Sequence, residues 1–241
     1  MTWHGHATVL IESGSTRLLT DPLLRRRLGH LTRRVPEAEP EGLAGLDAVL
    51  ISHLHRDHLD LPSLRRLSPG LTVVPRGAGH LLETDGEVCE LGVGEEVTVG
   101  LTTVRAVPAV HDASRGGVDA PALGYVVEDE IYFAGDTDLF AGMDALGPLR
   151  LALLPVWGWG PSLGAGHMDP ARAAEAVARL RPRTAVPIHW GTYFPFPLGR
   201  RGHSRLEDPP REFADKAAEL APDVEVRVLE PGQTLELGAP T

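Results

Sequence analysis

The chain has 241 residues, 42% of them hydrophobic, and a formal net charge of −10 from 23 basic and 33 acidic side chains. That length supports one substantial core, so one domain over residues 1–241 is expected, and the acidic balance argues against nucleic acid as a partner, because phosphate backbones need a basic surface. The single Cys89 excludes an intramolecular disulfide framework and a cysteine-rich zinc site, and it fits a reducing cytoplasm.

The first six residues have neither a basic n-region nor an apolar h-region, and no run approaches about eighteen apolar residues, so no leader and no transmembrane segment are expected. Residues 8–11 read as a strand, Ser13-Gly14-Ser15 as a turn, and residues 16–20 as the returning strand, which ends at Asp21-Pro22. Period-two alternation would put His4 and His6 on one side of the opening segment. Asp21 either accepts a hydrogen bond from a ligating imidazole or caps its own turn. Residues 24–43 carry a cluster of arginines at Arg25-Arg26-Arg27 and Arg33-Arg34 without clean periodicity and read as a surface excursion that could serve as a lid.

The apolar run 48–51 delivers His53-Leu54-His55-Arg56-Asp57-His58, three imidazoles and a carboxylate in six residues. In extended chain His53 and His55 point to one side, and where the chain turns Asp57 and His58 can face a second point close by. Imidazole and carboxylate suit zinc, manganese, iron or nickel, so one turn could serve two metals. Asp60 then caps a short helix with Pro62 in its first turn, and residues 71–75 form the next strand, a βαβ step. Residues 87–110 are strand-rich, with turns at Gly92, Gly94 and Gly100, and end on His111, a candidate ligand from outside the first cluster. The loop after it makes Arg115 a candidate for an anionic substrate group, although an exposed arginine reads the same way.

Two strands, 122–128 and 130–134, lead into Gly135-Asp136-Thr137. A carboxylate there can bridge two cations or cap a helix over 137–146. Residues 151–156 form a buried strand, and the glycine-rich loop after it offers Trp157 and Trp159 as pocket-lining residues. His167 precedes a helix capped by Asp169 and opened by Pro170, residues 184–188 form a strand that delivers His189, and the chain closes with a helix from Asp208 and a strand over 224–229. Ends of four strands thus present seven ligand-type side chains, and convergent strand ends are where α/β architectures build sites.

The order of these motifs resembles the metallo-β-lactamase fold, in the branch that holds ascorbate-6-phosphate lactonase-like proteins and N-acyl-phosphatidylethanolamine-hydrolysing phospholipase D. Gly5-His6-Ala7-Thr8, Thr20-Asp21-Pro22, the turn at 53–58, His111, Gly135-Asp136-Thr137, His167-Met168 and Pro187-Ile188-His189-Trp190-Gly191-Thr192 carry the likeness. It implies a four-layer αββα sandwich and two divalent cations, zinc or manganese first and iron or nickel also suited. One would sit on His53, His55 and His111, the other on Asp57, His58 and His189, with Asp136 bridging. A hydroxide held between them would attack phosphorus or a carbonyl, with Asp57 holding or relaying its proton. His167 would donate a proton to the leaving group or contact phosphate, unless it only binds the helix start, and His6 and Asp21 would support the ligands from behind.

The resemblance also narrows the activity. No cysteine stands near the motifs as in the cysteine-ligand β-lactamases, which generally lack Asp136, and His55 stands where flavodiiron-type proteins carry Glu. The clamp of the nucleases and the helical C-terminal domain of glyoxalase II-like thioesterases have no counterpart. A cytoplasmic two-metal hydrolase of a phosphodiester, or of a phosphorylated or lipid-derived small-molecule ester, is the expectation. A lactonase is the rival, a nuclease or a non-catalytic metal-pocket binding protein the further alternatives, and a homo-oligomer stays open.

Overall fold

The computed structural model describes residues 1–37, 40–158, 162–195 and 204–238. In chain order the elements are β1 (Thr2–Trp3), β2 (Val9–Ser13), β3 (Thr16–Thr20), β4 (Arg27–Leu28), β5 (Leu31–Arg33), β6 (Ala48–Leu50), α1 (Leu61–Leu67), β7 (Leu71–Pro75), β8 (Glu87–Leu91), β9 (Glu96–Val99) and β10 (Thr102–Pro108). They continue with β11 (Leu123–Val127), β12 (Ile131–Phe133), β13 (Leu151–Pro155), α2 (Pro170–Leu180), β14 (Thr184–Ile188), β15 (Tyr193–Pro195), α3 (Ser204–Leu220) and β16 (Glu225–Val226). One sheet runs β1-β2-β3-β6-β7-β8, a second runs β16-β14-β13-β12-β11-β10-β9, and β15-β5-β4 form a small third sheet.

Alternation along the strands sorts the layers, because successive side chains of a strand leave by opposite faces. Ile11, Leu18, Leu50 and Val73 enter a core shared with Val104, Tyr125, Phe133 and Leu153 of the second sheet. Their neighbours Leu10, Leu19, Val49 and Val74 pack on the other face with Leu59 and Leu64, at and under α1. Ala173, Val177, Phe213 and Ala217 of α2 and α3 belong to the same cluster as the second sheet. The result is the expected αββα layering.

Both short helices start where capping chemistry puts them. The Asp60 carboxylate accepts from the Ser63 N–H and the Asp169 carboxylate from the Arg172 N–H, satisfying donors that a helix start leaves open. Other expectations shift. Residues 137–146 form only a 3-10 turn at Met143–Leu146, because the Asp138 N–H is spent on the Val110 carbonyl at 3.0 Å, so Asp136 caps no helix. The last helix begins at Ser204 and carries Pro209 and Pro210 inside it. The closing strand is two residues rather than six, since beyond Val226 the chain leaves β14 to bridge Thr234 to Thr2 across β1. Among the described residues, no helix is long and apolar enough to cross a membrane.

Candidate metal centre

Four strands deliver the ligand-type residues to one edge. β6 lies parallel between β3 and β7, and the chain leaving it turns tightly, the His58 and Leu59 N–H groups both bonding the His55 carbonyl at 3.0 and 2.8 Å. From the second sheet β10, β12 and β14 bring up His111, Asp136 and His189. Asp136 reaches the turn because Gly135 has no side chain and sits at φ +60; a Cβ there would stand 2.6 Å from the Ser52 Cβ. The Thr137 hydroxyl accepts from the Val110 N–H at 2.9 Å and ties the two loops together.

The imidazoles are anchored from behind. His58 donates from Nδ1 to Asp21 Oδ2 at 2.6 Å, His111 from Nδ1 to the Gly166 carbonyl at 2.9 Å, and His189 from Nδ1 to the Trp157 carbonyl at 2.7 Å. An acceptor on that side fixes the hydrogen on Nδ1 and turns Nε2 inward, the arrangement that orients metal-ligating histidines. His53 contacts the Ser52 hydroxyl through Nδ1 at 3.0 Å, and its Nε2 is buried with no partner.

Two groups of inward atoms result. His53, His55 and His111 each offer a nitrogen, all within 4.8 Å of one another, and within the same distance of one another lie nitrogens of His6, His58 and His189 and a carboxylate oxygen of Asp57. Asp136 stands between them. Its Oδ1 is 3.3 Å from His189 Nε2 and its Oδ2 is 3.3 Å from His58 Nε2 and 3.5 Å from His167 Nε2, yet Oδ1, though buried, makes no hydrogen bond. Lone pairs crowding a buried point without donors are costly by themselves and are what a divalent cation with nitrogen and oxygen ligands requires.

The charge states of the cluster follow from burial and from the neighbouring charges. Burial drives His53 far below the usual imidazole range, with the neighbouring His58 adding to it, and burial brings His111 down to about 4. Both rings are neutral at pH 7. Burial would raise the carboxyls of Asp57 and Asp136, but the surrounding histidines outweigh it and hold both well below the ordinary carboxylate range. Burial likewise opposes protonation of His58, yet Asp136, Asp21 and Asp57 together lift it well above the usual range.

Of the expected supports, Asp21 does more than cap a turn. It is fully buried and also accepts from the Ser52 N–H at 2.7 Å and the Ser52 hydroxyl at 2.5 Å. His6 reaches Asp57 Oδ2 at 3.1 Å. His4 does not share that site: Gly5 at φ +96 and His6 at φ +54 break the period-two path, and His4 lies half-buried near Arg33. His167 faces Asp136 from the mouth, with its Nδ1 3.2 Å from the Gly164 and Ala165 carbonyls.

Arg115 departs from the expected substrate contact. Its Nη1 donates to the Leu54 and Leu59 carbonyls at 3.3 and 2.7 Å, satisfying backbone acceptors that the tight turn leaves unpaired. Trp157 meets the site through its carbonyl on His189, while Trp159 lies outside the described residues. Ser52, unmentioned by sequence reasoning, is the hub that joins Asp21, His53 and the backbone. A small polar residue directly before a ligand-dense turn was its only signal.

Sequence and structure comparisons agree with this geometry. A model described as Beta-lactamase superfamily domain matches residues 16–190. A UPF0173 metal-dependent hydrolase of Aeropyrum pernix is 32% identical, covering 98% of this chain and 96% of its own length. N-acyl-phosphatidylethanolamine-hydrolyzing phospholipase D 1 of Caenorhabditis elegans is 34% identical over 82% of this chain and 64% of its own. The structure of a metallo hydrolase from the archaeon Ignicoccus hospitalis superposes with a TM-score of 0.74 at 27% identity, covering 97% of this chain and 96% of that one. With its layering, its His and Asp side chains gathered at strand ends and these relatives in agreement, the chain belongs to the UPF0173 metal-dependent hydrolases of the β-lactamase superfamily.

Proposed function

We propose that the chain hydrolyses a phosphodiester of a small or lipid-derived molecule at a binuclear centre, with His53, His55 and His111 holding one cation, Asp57, His58 and His189 the other, and Asp136 bridging. The carrying observation is Asp136: a buried carboxylate between two ligand groups, one oxygen without a hydrogen bond. Zinc or manganese suits the donor set first, with iron and nickel also accommodated. When bound, the cations supply Lewis acidity and bring the pKa of water toward neutrality.

The protein's own groups do the rest. The anchored imidazoles hold their donor atoms in place, so little reorganisation is left for the reaction itself. Asp57, 17% exposed at its side chain, is the carboxylate of the cluster open to the mouth and can take or relay a proton of the attacking water. His167 is 23% exposed. With Nδ1 turned to the carbonyls of Gly164 and Ala165, its Nε2, as the imidazolium, can pass a proton to a departing alkoxide.

The phosphodiester choice is supported by the Caenorhabditis elegans relative, whose name states a phospholipase D activity. Metal-replete protein assayed with bis(p-nitrophenyl) phosphate, simple lactones and short RNA separates the alternatives. Diester turnover that chelation abolishes, with Asp136→Asn inactive, is the expected result. Turnover of lactones alone, of RNA in preference to the small diester, or of nothing at all overturns the proposal.

A further inference from the structure

The binuclear reading names one buried histidine beside the ligands only as a general support, without saying which ligands it serves. His6 is 3% exposed, and its Nε2 falls within the same cluster of donor atoms as Asp57, His58 and His189. Taken by distance alone it could be a further ligand. Its hydrogen bond decides otherwise: Asp57 accepts and cannot donate while ionised, so the hydrogen lies on His6 Nε2, and an N–H pointed at Asp57 Oδ2 has no lone pair for a cation.

What His6 controls is the aim of Asp57. Among the described residues His6 is the only side chain hydrogen-bonded to that carboxylate, whose other near neighbours, His58 Nε2 and His189 Nε2, stand at 3.8 and 3.9 Å. His6 in turn is held on every side. Its N–H donates to Thr192 Oγ1 at 2.6 Å, and its carbonyl accepts from the Trp3 indole and the His189 N–H, both at 2.9 Å. Its ring lies 4.0 Å from the His189 ring. Gly5 makes the approach feasible, since a Cβ there would meet Thr192 Oγ1 at 2.9 Å and Arg33 Nη2 at 3.2 Å. Both His6 and His189 sit at left-handed φ, +54 and +62, a conformation that costs non-glycine residues energy and persists where the surroundings over-determine it.

We infer that His6 is the positioning residue of the second cation position alone: by donating to Asp57 Oδ2 and bonding His189 through its main chain, it assembles Asp57, His58 and His189, while His53, His55 and His111 assemble without it. This rests on the binuclear reading. The first group has its own anchors at Ser52 and Gly166, and none of its rings hydrogen-bonds His6. The consequence is that uptake of the two cations is separable by one substitution outside the ligand set.

The test is zinc titration of chelator-treated protein against a chromophoric competitor, for wild type, His6→Phe and His6→Gln, with circular dichroism and thermal melts of each. Phenylalanine keeps the ring packing and loses the donor; glutamine restores an amide donor. The expected result is two sites in wild type, an unchanged tight site and a second site weakened about 10–100-fold in His6→Phe, the usual consequence of losing a support behind a ligand, and recovery to within a few-fold in His6→Gln. Two wild-type affinities in His6→Phe, or parallel weakening of both sites in both variants, overturn the inference and leave the binuclear reading standing. A single zinc in wild type overturns the binuclear reading itself, and this inference with it.

Discussion

Replacing Asp21 by asparagine isolates the tautomer of one proposed ligand, His58. Asn is isosteric with Asp and tolerates the positive φ of 34° found at Asp21, so the backbone has no reason to move. The Ser52 N–H, 2.7 Å from Oδ1, fixes which end of the new amide is the oxygen. The amide nitrogen therefore takes the place of Oδ2, 2.6 Å from His58 Nδ1, and presents a hydrogen where a lone pair stood. His58 answers by accepting at Nδ1 and moving its own hydrogen to Nε2, the atom that faces His189 at 3.2 Å and Asp136 at 3.3 Å.

Trading a charge-assisted hydrogen bond for a neutral one costs about 1–2 kcal/mol of stability. Losing the correct tautomer should weaken the proposed second cation position about 10–100-fold, or about 1.4–2.8 kcal/mol. Chelator competition with zinc on the purified variant, beside a urea melt of the metal-free form, measures both terms. Wild-type affinity at both positions in Asp21→Asn would refute the reasoning, because it would mean that the buried carboxylate does not set the His58 proton.

Other consequences are equally direct. Arg115→Ala should lower the melting temperature by about 2–10 °C, the equivalent of about 1–3 kcal/mol for two lost carbonyl partners, and leave KM for an anionic diester within about two-fold; a raised KM at unchanged stability would return Arg115 to the substrate. Gly135→Ala combines a left-handed penalty with overpacking against Ser52, for about 2–5 kcal/mol, read as a fall in the urea midpoint; a loss under about 0.5 kcal/mol would show that the close approach of Asp136 to the turn is not required. Acidification should destabilise the metal-free protein. Burial lowers His4, His6, His53, His55 and His111, with His6 and His111 at about 4, so below the unfolded value of about 6.5 the unfolded chain binds more protons than the fold. His58 is raised and runs the other way, its stabilisation being complete below about 6.5 and lost at higher pH, but it is one against five. A urea midpoint that stays flat or rises between pH 7 and 4.5 would contradict the burial of these rings.

Much of this was legible in the chain. The ligand-dense turn after an apolar strand, His111 and His189 at strand ends, and the Asp caps of two helices with a proline in the first turn are local patterns, and local patterns carry over because backbone geometry and capping act within a few residues. The misreadings share a cause. The helix expected after Asp136 yields to a long-range bond from the Asp138 N–H to the Val110 carbonyl. His4 parts from His6 because Gly5 turns the chain, and Arg115 is claimed by carbonyls 56 and 61 residues away in sequence. None of these partners lies within the window that periodicity can see.

The sequence by itself determined which side chains can bind a cation, and that they gather at strand ends, since side-chain chemistry and strand alternation are set residue by residue. Only the tertiary structure decided which nitrogen of each imidazole faces inward, that Asp136 stands between two groups rather than at a helix start, and that His6 serves Asp57. Those outcomes depend on what lies behind each ring: Asp21, Gly166, Trp157 and Ser52, brought up from distant parts of the chain, fix the hydrogen on the outer nitrogen of His58, His111 and His189 and brace His53.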